Sequence, residues 1–111
     1  MSTDDDRGSG DQDLDLVVSG LIYLEQAGDV AIEVRRGMVI LTAEGREAGK
    51  VAAVIIGRQP RQVTHVLLGR LRQALEYRQV PLELIERVQE DRVLLRVVYQ
   101  FVDSLPKWRG T

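Results

Sequence analysis

Cysteine is absent from this 111-residue chain, histidine occurs once and proline three times, and Phe, Trp and Tyr together make up 5% of it. Without cysteine there are no disulfides, no thiolate metal ligands and no cysteine nucleophile, which fits a reducing cytoplasmic location. The single imidazole, His65, alternates with Val63 and Leu67 in a β-type segment. With no second histidine to complete a ligand set, it reads as a packed or hydrogen-bonded structural residue. Neither a metal nor a cofactor is expected. The longest apolar run, Leu16 to Leu24, is nine residues, about half of what a membrane-spanning helix needs. The first residues, MSTDDDRGSGDQD, are acidic where a signal peptide would be basic, so no leader is expected.

Catalytic constellations are equally thin. Ser19, Ser104 and Thr64 are the hydroxyls considered as nucleophiles, and no nearby spacing supplies a base and an orienting group. No GxSxG turn is present. The adjacent Glu90 and Asp91 fall in a turn, where Asp stabilises its own backbone. EGREAG (44–49) has two glycines but lacks the Lys-Ser/Thr ending of a phosphate-binding loop. The inventory supports no positioned acid–base pair, and the chain is expected not to be an enzyme.

What the chain does have is an uneven distribution of charge. Residues 1–15 hold six aspartates and one arginine, leaving 11 acidic and 14 basic residues, a body of +3 behind an acidic tail. Thirteen of the fifteen basic residues are arginine, the side chain suited to bidentate contact with carboxylate or phosphate. Arg58, Arg61, Arg70, Arg72 and Arg78, with Tyr77 among them, fall in or near the connections 57–62 and 69–78. They form a candidate patch for docking an acidic protein surface, a nucleic-acid backbone or the chain's own Asp-rich tail. An RNA-associated accessory role in ribosome assembly or RNA processing is the alternative. It is weakened by a body of only +3 and few aromatics.

The periodicity is mainly β. Met38–Thr42 reads as a strand, 43–49 as a turn, Lys50–Gly57 as a second strand paired with the first, and 63–71 as a third after a break at Pro60. A short fourth strand follows at Glu76–Val80. Pro81 opens a helical turn within VPLELIERV, and VLLRVVYQF (93–101) is the last strand. Residues 14–28 are ambiguous. Leu14, Val17, Val18, Leu21 and Leu24 recur at helical steps with Gly28 as a stop, whereas Gly20 and the β-branched residues favour a strand. The expectation leans to a helix or an irregular apolar arm. The fold expected is a small closed, coiled β-barrel of five or six short antiparallel strands with one helical turn. Residues 1–13 would be a disordered acidic tail, 14–36 an N-terminal arm, and 37–111 the barrel.

Every residue from Val51 to Ile56 is apolar. One alternating set can fill a barrel, so the other must be covered by something else. Ala52, Val54 and Ile56, with Leu21 and Leu24 of the arm, are therefore the candidate self-association residues. A homodimer is the expected solution, because two-fold pairing is the commonest.

The ordered set Glu44-Gly45, Gly49-Lys50-Val51, Pro60, Val63-Thr64-His65-Val66, Val80-Pro81-Leu82-Glu83-Leu84-Ile85 and Val93–Val97 resembles the PRC-barrel domain family over residues 37–106. The resemblance implies a β-barrel that serves as a docking and assembly module without a catalytic site. Residues 14–35 have no counterpart in that family pattern.

Overall fold

A computed structural model describes residues 14–24 and 30–108. The expected tail (1–13) and the stop at Gly28 lie outside the described residues. Among the described residues lie nine strands and one α-helical turn: β1 Leu14–Val17, β2 Ser19–Tyr23, β3 Ala31–Arg35, β4 Val39–Leu41, β5 Glu47–Arg58, β6 Arg61–Leu71, β7 Leu75–Pro81, β8 Ile85–Gln89, β9 Arg92–Leu95 and α1 Tyr99–Val102. A 3-10 turn, Leu82–Leu84, joins β7 to β8.

The long strand β5 organises the sheet. Along one edge it pairs with β6 through a hairpin that turns at the cis Gln59–Pro60 bond. Its other edge is shared, with β4 on residues 47–50 and β1 on residues 54–57. The hydrogen-bonded order is β7-β6-β5-β4-β9-β8, and β4–β9 is a parallel pair. Five strand spacings would separate β7 from β8 by about 24 Å in a flat sheet. Yet four peptide steps, at most about 14 Å, carry the chain from Pro81 to Ile85. The sheet must therefore be strongly curled. It is not closed: β7 and β8 end the path without pairing to each other.

The arm is strand, not helix. β1 extends the sheet on β5, and the chain then bends at Val18 so that β2 pairs with β3 in a separate two-stranded layer. Gly20 explains why helical spacing loses here. A Cβ on it would come within 2.9 Å of Val63 Cγ2 and 3.0 Å of Val54 Cγ1. Only glycine lets this backbone approach the sheet so closely. The leucine and valine steps that look helical serve two faces of a bent strand pair, with Ile22 and Leu24 turned inward and Leu21 and Tyr23 outward. From this expected arm, Ile22, Leu24 and Val34 lie in the core, with Val17 and Ile32 packed against it.

That core is aliphatic. Ile22, Leu24 and Val34 of the β2–β3 layer meet Val51, Val54, Val66, Leu68, Val80, Ile85 and Val93 of the curled sheet, with Val102 and Leu105 at the C-terminal end. Register shifts at Val51/Ala53 and Ile55/Ile56 break the alternation of β5, so Val51 and Val54 both point into the core. Ile55 and Leu67 are also buried, outside that cluster. The expected last strand stops at Leu95. Backbone groups beyond it leave the ladder: Arg96 N–H donates to Leu84 O (2.9 Å), and Val97 O accepts from Ala43 N–H (2.8 Å). The Glu44 carboxylate then accepts from Tyr99 N–H at 2.8 Å, and α1 begins there. Tertiary partners override the β-propensity of Val97, Val98 and Tyr99.

Candidate docking surface

The arginines that looked like one patch form two separate groups at opposite ends of β6, about 30 Å apart at strand rise. Arg58 and Arg61 face each other across the β5–β6 hairpin end. Arg58 donates to Asp15 Oδ1 (2.8 Å) and Arg61 to Asp15 Oδ2 (2.8 Å). Hydrogen bonds from Arg58 and then Arg61 lower the Asp15 pKa from 3.8 to about 2. One carboxylate of the acidic segment is therefore docked on these two arginines, and it ties β1 to the hairpin.

The second group fastens the C-terminal segment. Three residues, 72–74, connect β6 and β7, which sets Arg70 directly opposite Glu76. Arg70 Nε donates to Glu76 (2.7 Å), and its Nη2 donates to Asp103. Arg72 donates to the same Asp103 oxygen at 2.8 Å. Arg78 donates to Glu76 and to the backbone oxygens of Asp103 (3.0 Å) and Leu105 (2.7 Å). The Arg70 hydrogen bond is the largest influence holding both Glu76 and Asp103 below the usual carboxylate range. Gln79 N–H and Tyr77 O bond to Pro106 and Trp108 of the backbone, so residues 106–108 cover the β7 edge. Tyr77 is half-buried beside Gly69, with Cε1 3.3 Å from where a Cβ would stand. It fills a gap in the sheet and is no exposed stacking platform.

Sequence reasoning missed the acidic halves of this network. Glu76 was legible only once the hairpin was known to turn over 72–74, and Asp103 lies 33 residues from Arg70. The five arginines thus hold internal anions, and no joint basic patch exists among them.

Of the self-association candidates, Leu24 and Val54 are corrected. They are 5% and 0% exposed inside the chain's own core and offer nothing to a second copy. Ala52 and Ile56 are half-buried, Ile56 against that core, and Leu21 alone of the five is open, at 57%. Other exposed apolar side chains lie near Leu21 in sequence: Leu16, Val18, Tyr23 and Val30 join it, all close to half or more exposed, and a second exposed group, Leu71 and Leu75, sits at the β6–β7 hairpin tip. Leu21 and Tyr23 share one face of β2, and β1 is paired on one side only among the described residues.

His65 is half-buried, with Nδ1 2.9 Å from Thr64 Oγ1. Burial lowers its pKa, opposed by the charge of Glu83. Among the described residues no group of three or more His, Cys, Asp or Glu could hold a metal ion, and no helix is long and apolar enough to cross a membrane. A scan against family models finds no matching family, and a search of curated proteins finds no match.

Proposed function

We propose that the chain is a non-enzymatic docking or scaffold module of the PRC-barrel kind that self-associates through its N-terminal strands. The observation that carries this reading is the run of open apolar side chains, Leu16, Val18, Leu21, Tyr23 and Val30, beside the single-sided strand β1. A soluble fold gains by covering such a surface, at about 25 cal/mol for each Å² removed from water. The occupant we favour is a second copy. An antiparallel β1–β1 contact across a two-fold axis would continue the sheet and bury the same apolar residues from both sides. The curl that brings β7 to β8 through three residues is what a barrel-type ancestry would leave. The RNA reading loses ground because its arginines are already engaged by Asp15, Glu76 and Asp103.

Sedimentation at low micromolar concentration tests the proposal, with Tyr23→Glu and Leu21→Glu as paired variants. Wild type is expected at twice the 12.5 kDa chain mass, and both variants nearer to the chain mass. A wild type that runs as a clean monomer would overturn it. Tight RNA binding that weakens steeply with salt would favour the accessory-factor reading instead.

A further inference from the structure

The tip of the β6–β7 hairpin sets side by side two features that self-association does not use, one of them walled in part by Arg70 and Arg72 of the arginine staple. Leu71 and Leu75 are cross-strand partners, yet they are 77% and 58% exposed. Next to them a cleft of about 450 Å³ is lined by Leu71, Leu75, Lys50, Arg70, Arg72 and Tyr99, with Glu47 as its one carboxylate and Ala48, Gly49 and Gly69 completing the wall.

The floor of this cleft is built for close approach. A Cβ on Gly49 would fall inside van der Waals contact with Gly69 O and 2.9 Å from Leu68 Cδ2, so β5 and β6 meet here through bare backbone. Arg70 is 4% exposed at the side chain, and Glu76 and Asp103 satisfy its Nε and Nη2. Its remaining nitrogen, Nη1, is buried and has no hydrogen-bond partner among the described residues. A buried donor of a charged group without an acceptor is costly, which makes it a ready partner for an anionic oxygen. Arg46 stacks on Tyr99 at 3.7 Å from the ring centroid, adding a further cation at the Tyr99 side. Arg70 and Arg72 already pair with Glu76 and Asp103, so what is left for a ligand's anionic group is Lys50 and the unpartnered Arg70 Nη1, and the two open leucines set its other half.

We propose that this cleft binds an amphipathic oxyanion, its carboxylate or phosphate headgroup against Lys50 and Arg70 and its apolar chain laid over Leu71 and Leu75. Because Nη1 is screened from solvent, an incoming oxygen meets it only after a side chain of the lining changes rotamer. The site stands apart from β1, so it does not depend on the self-association reading.

Titration of the full chain, followed by backbone amide shifts, tests this with four probes below their micellar range: octanoate, octyl phosphate, inorganic phosphate and octanol. Octanoate or octyl phosphate is expected to shift Gly49, Gly69, Leu71 and Leu75 saturably, and the tighter of the two identifies the headgroup. Inorganic phosphate and octanol, each lacking one half of the ligand, bind at least about tenfold more weakly. Substituting Arg70 endangers the staple, so the variants are Lys50→Gln and Leu75→Ser, both at exposed positions. Each is expected to weaken the amphiphile by about fivefold, the weight of one partly exposed contact. Octanol binding as tightly as octanoate, shifts that map away from the cleft, or variants that bind like wild type would each overturn the proposal.

Discussion

Val54→Ala separates a core role from an interface role more cleanly than any other substitution. The side chain is 0% exposed, paired in register with Val66 on β6 and Val17 on β1, and Gly20 lies so close that a Cβ there would be 3.0 Å from Val54 Cγ1. Removing two methylene equivalents costs about 1.6 kcal/mol of transfer free energy. If the β2 backbone cannot settle further, a residual void on the order of 40 Å³ adds about 1 kcal/mol. The expected loss is therefore about 2.5 kcal/mol, a large share of the roughly 5–15 kcal/mol available to such a domain. With a urea slope of about 1.5 kcal/mol per M, the midpoint falls by about 1.7 M. Equilibrium unfolding followed by Trp108 fluorescence, at two protein concentrations tenfold apart, is the assay. Leu21→Ser, at an exposed site, serves as the reference and should change the dilute-limit stability by less than about 0.5 kcal/mol. A Val54→Ala loss below about 1 kcal/mol, or one that disappears on dilution, would mean that Val54 faces another chain and that the core assignment is wrong.

Two further outcomes follow from local features. The Asp15 carboxylate titrates at about 2 when folded against 3.8 when free, so between these values the unfolded chain binds more protons. Its contribution to stability is complete above about pH 3.8 and is lost as pH falls through about 2; Asp15→Asn should flatten the acid limb of a stability–pH curve in that window, and an unchanged limb would refute the clamp. In the β8–β9 turn, Glu90 and Asp91 both sit at positive φ, 53° and 63°, where an L side chain is disfavoured. Glu90→Gly should raise stability by about 0.5 kcal/mol, read as a melting temperature a few degrees higher; a lower melting temperature would show that the glutamate side chain contributes there.

The strand content was legible because Val51–Ile56, Val63–Leu68 and Val93–Leu95 carry β-branched and aliphatic runs bounded by turn residues. What escaped was everything decided at long range. The helical spacing of Leu14, Val17, Leu21 and Leu24 is real in one dimension, yet Gly20 packing on Val54 and Val63 turns the same residues into a bent strand pair. The apolar character of both faces of β5 suggests an outward docking face. Register shifts at Val51/Ala53 and Ile55/Ile56 instead turn Val54 into the core, and nothing local in sequence marks a bulge among six apolar residues. The arginines were visible by count and spacing, but their meaning depended on Asp15, Glu76 and Asp103, the last two brought near by a hairpin and by the turn of the C-terminal segment across β7. The curl of the sheet could be anticipated from the number of short strands, whereas the parallel β4–β9 pairing could not.

The absence of cysteine gives direct access to the question of where two copies meet, since a single introduced thiol can be labelled uniquely. A nitroxide on Ser19→Cys, at the half-buried start of β2, reports the separation of the two β1 strands by pulsed dipolar spectroscopy at tens of micromolar protein. Antiparallel contact along β1 predicts a narrow label-to-label distribution between about 20 and 35 Å, from strand rise and interstrand spacing. No dipolar modulation, or a distance beyond about 45 Å, would contradict it.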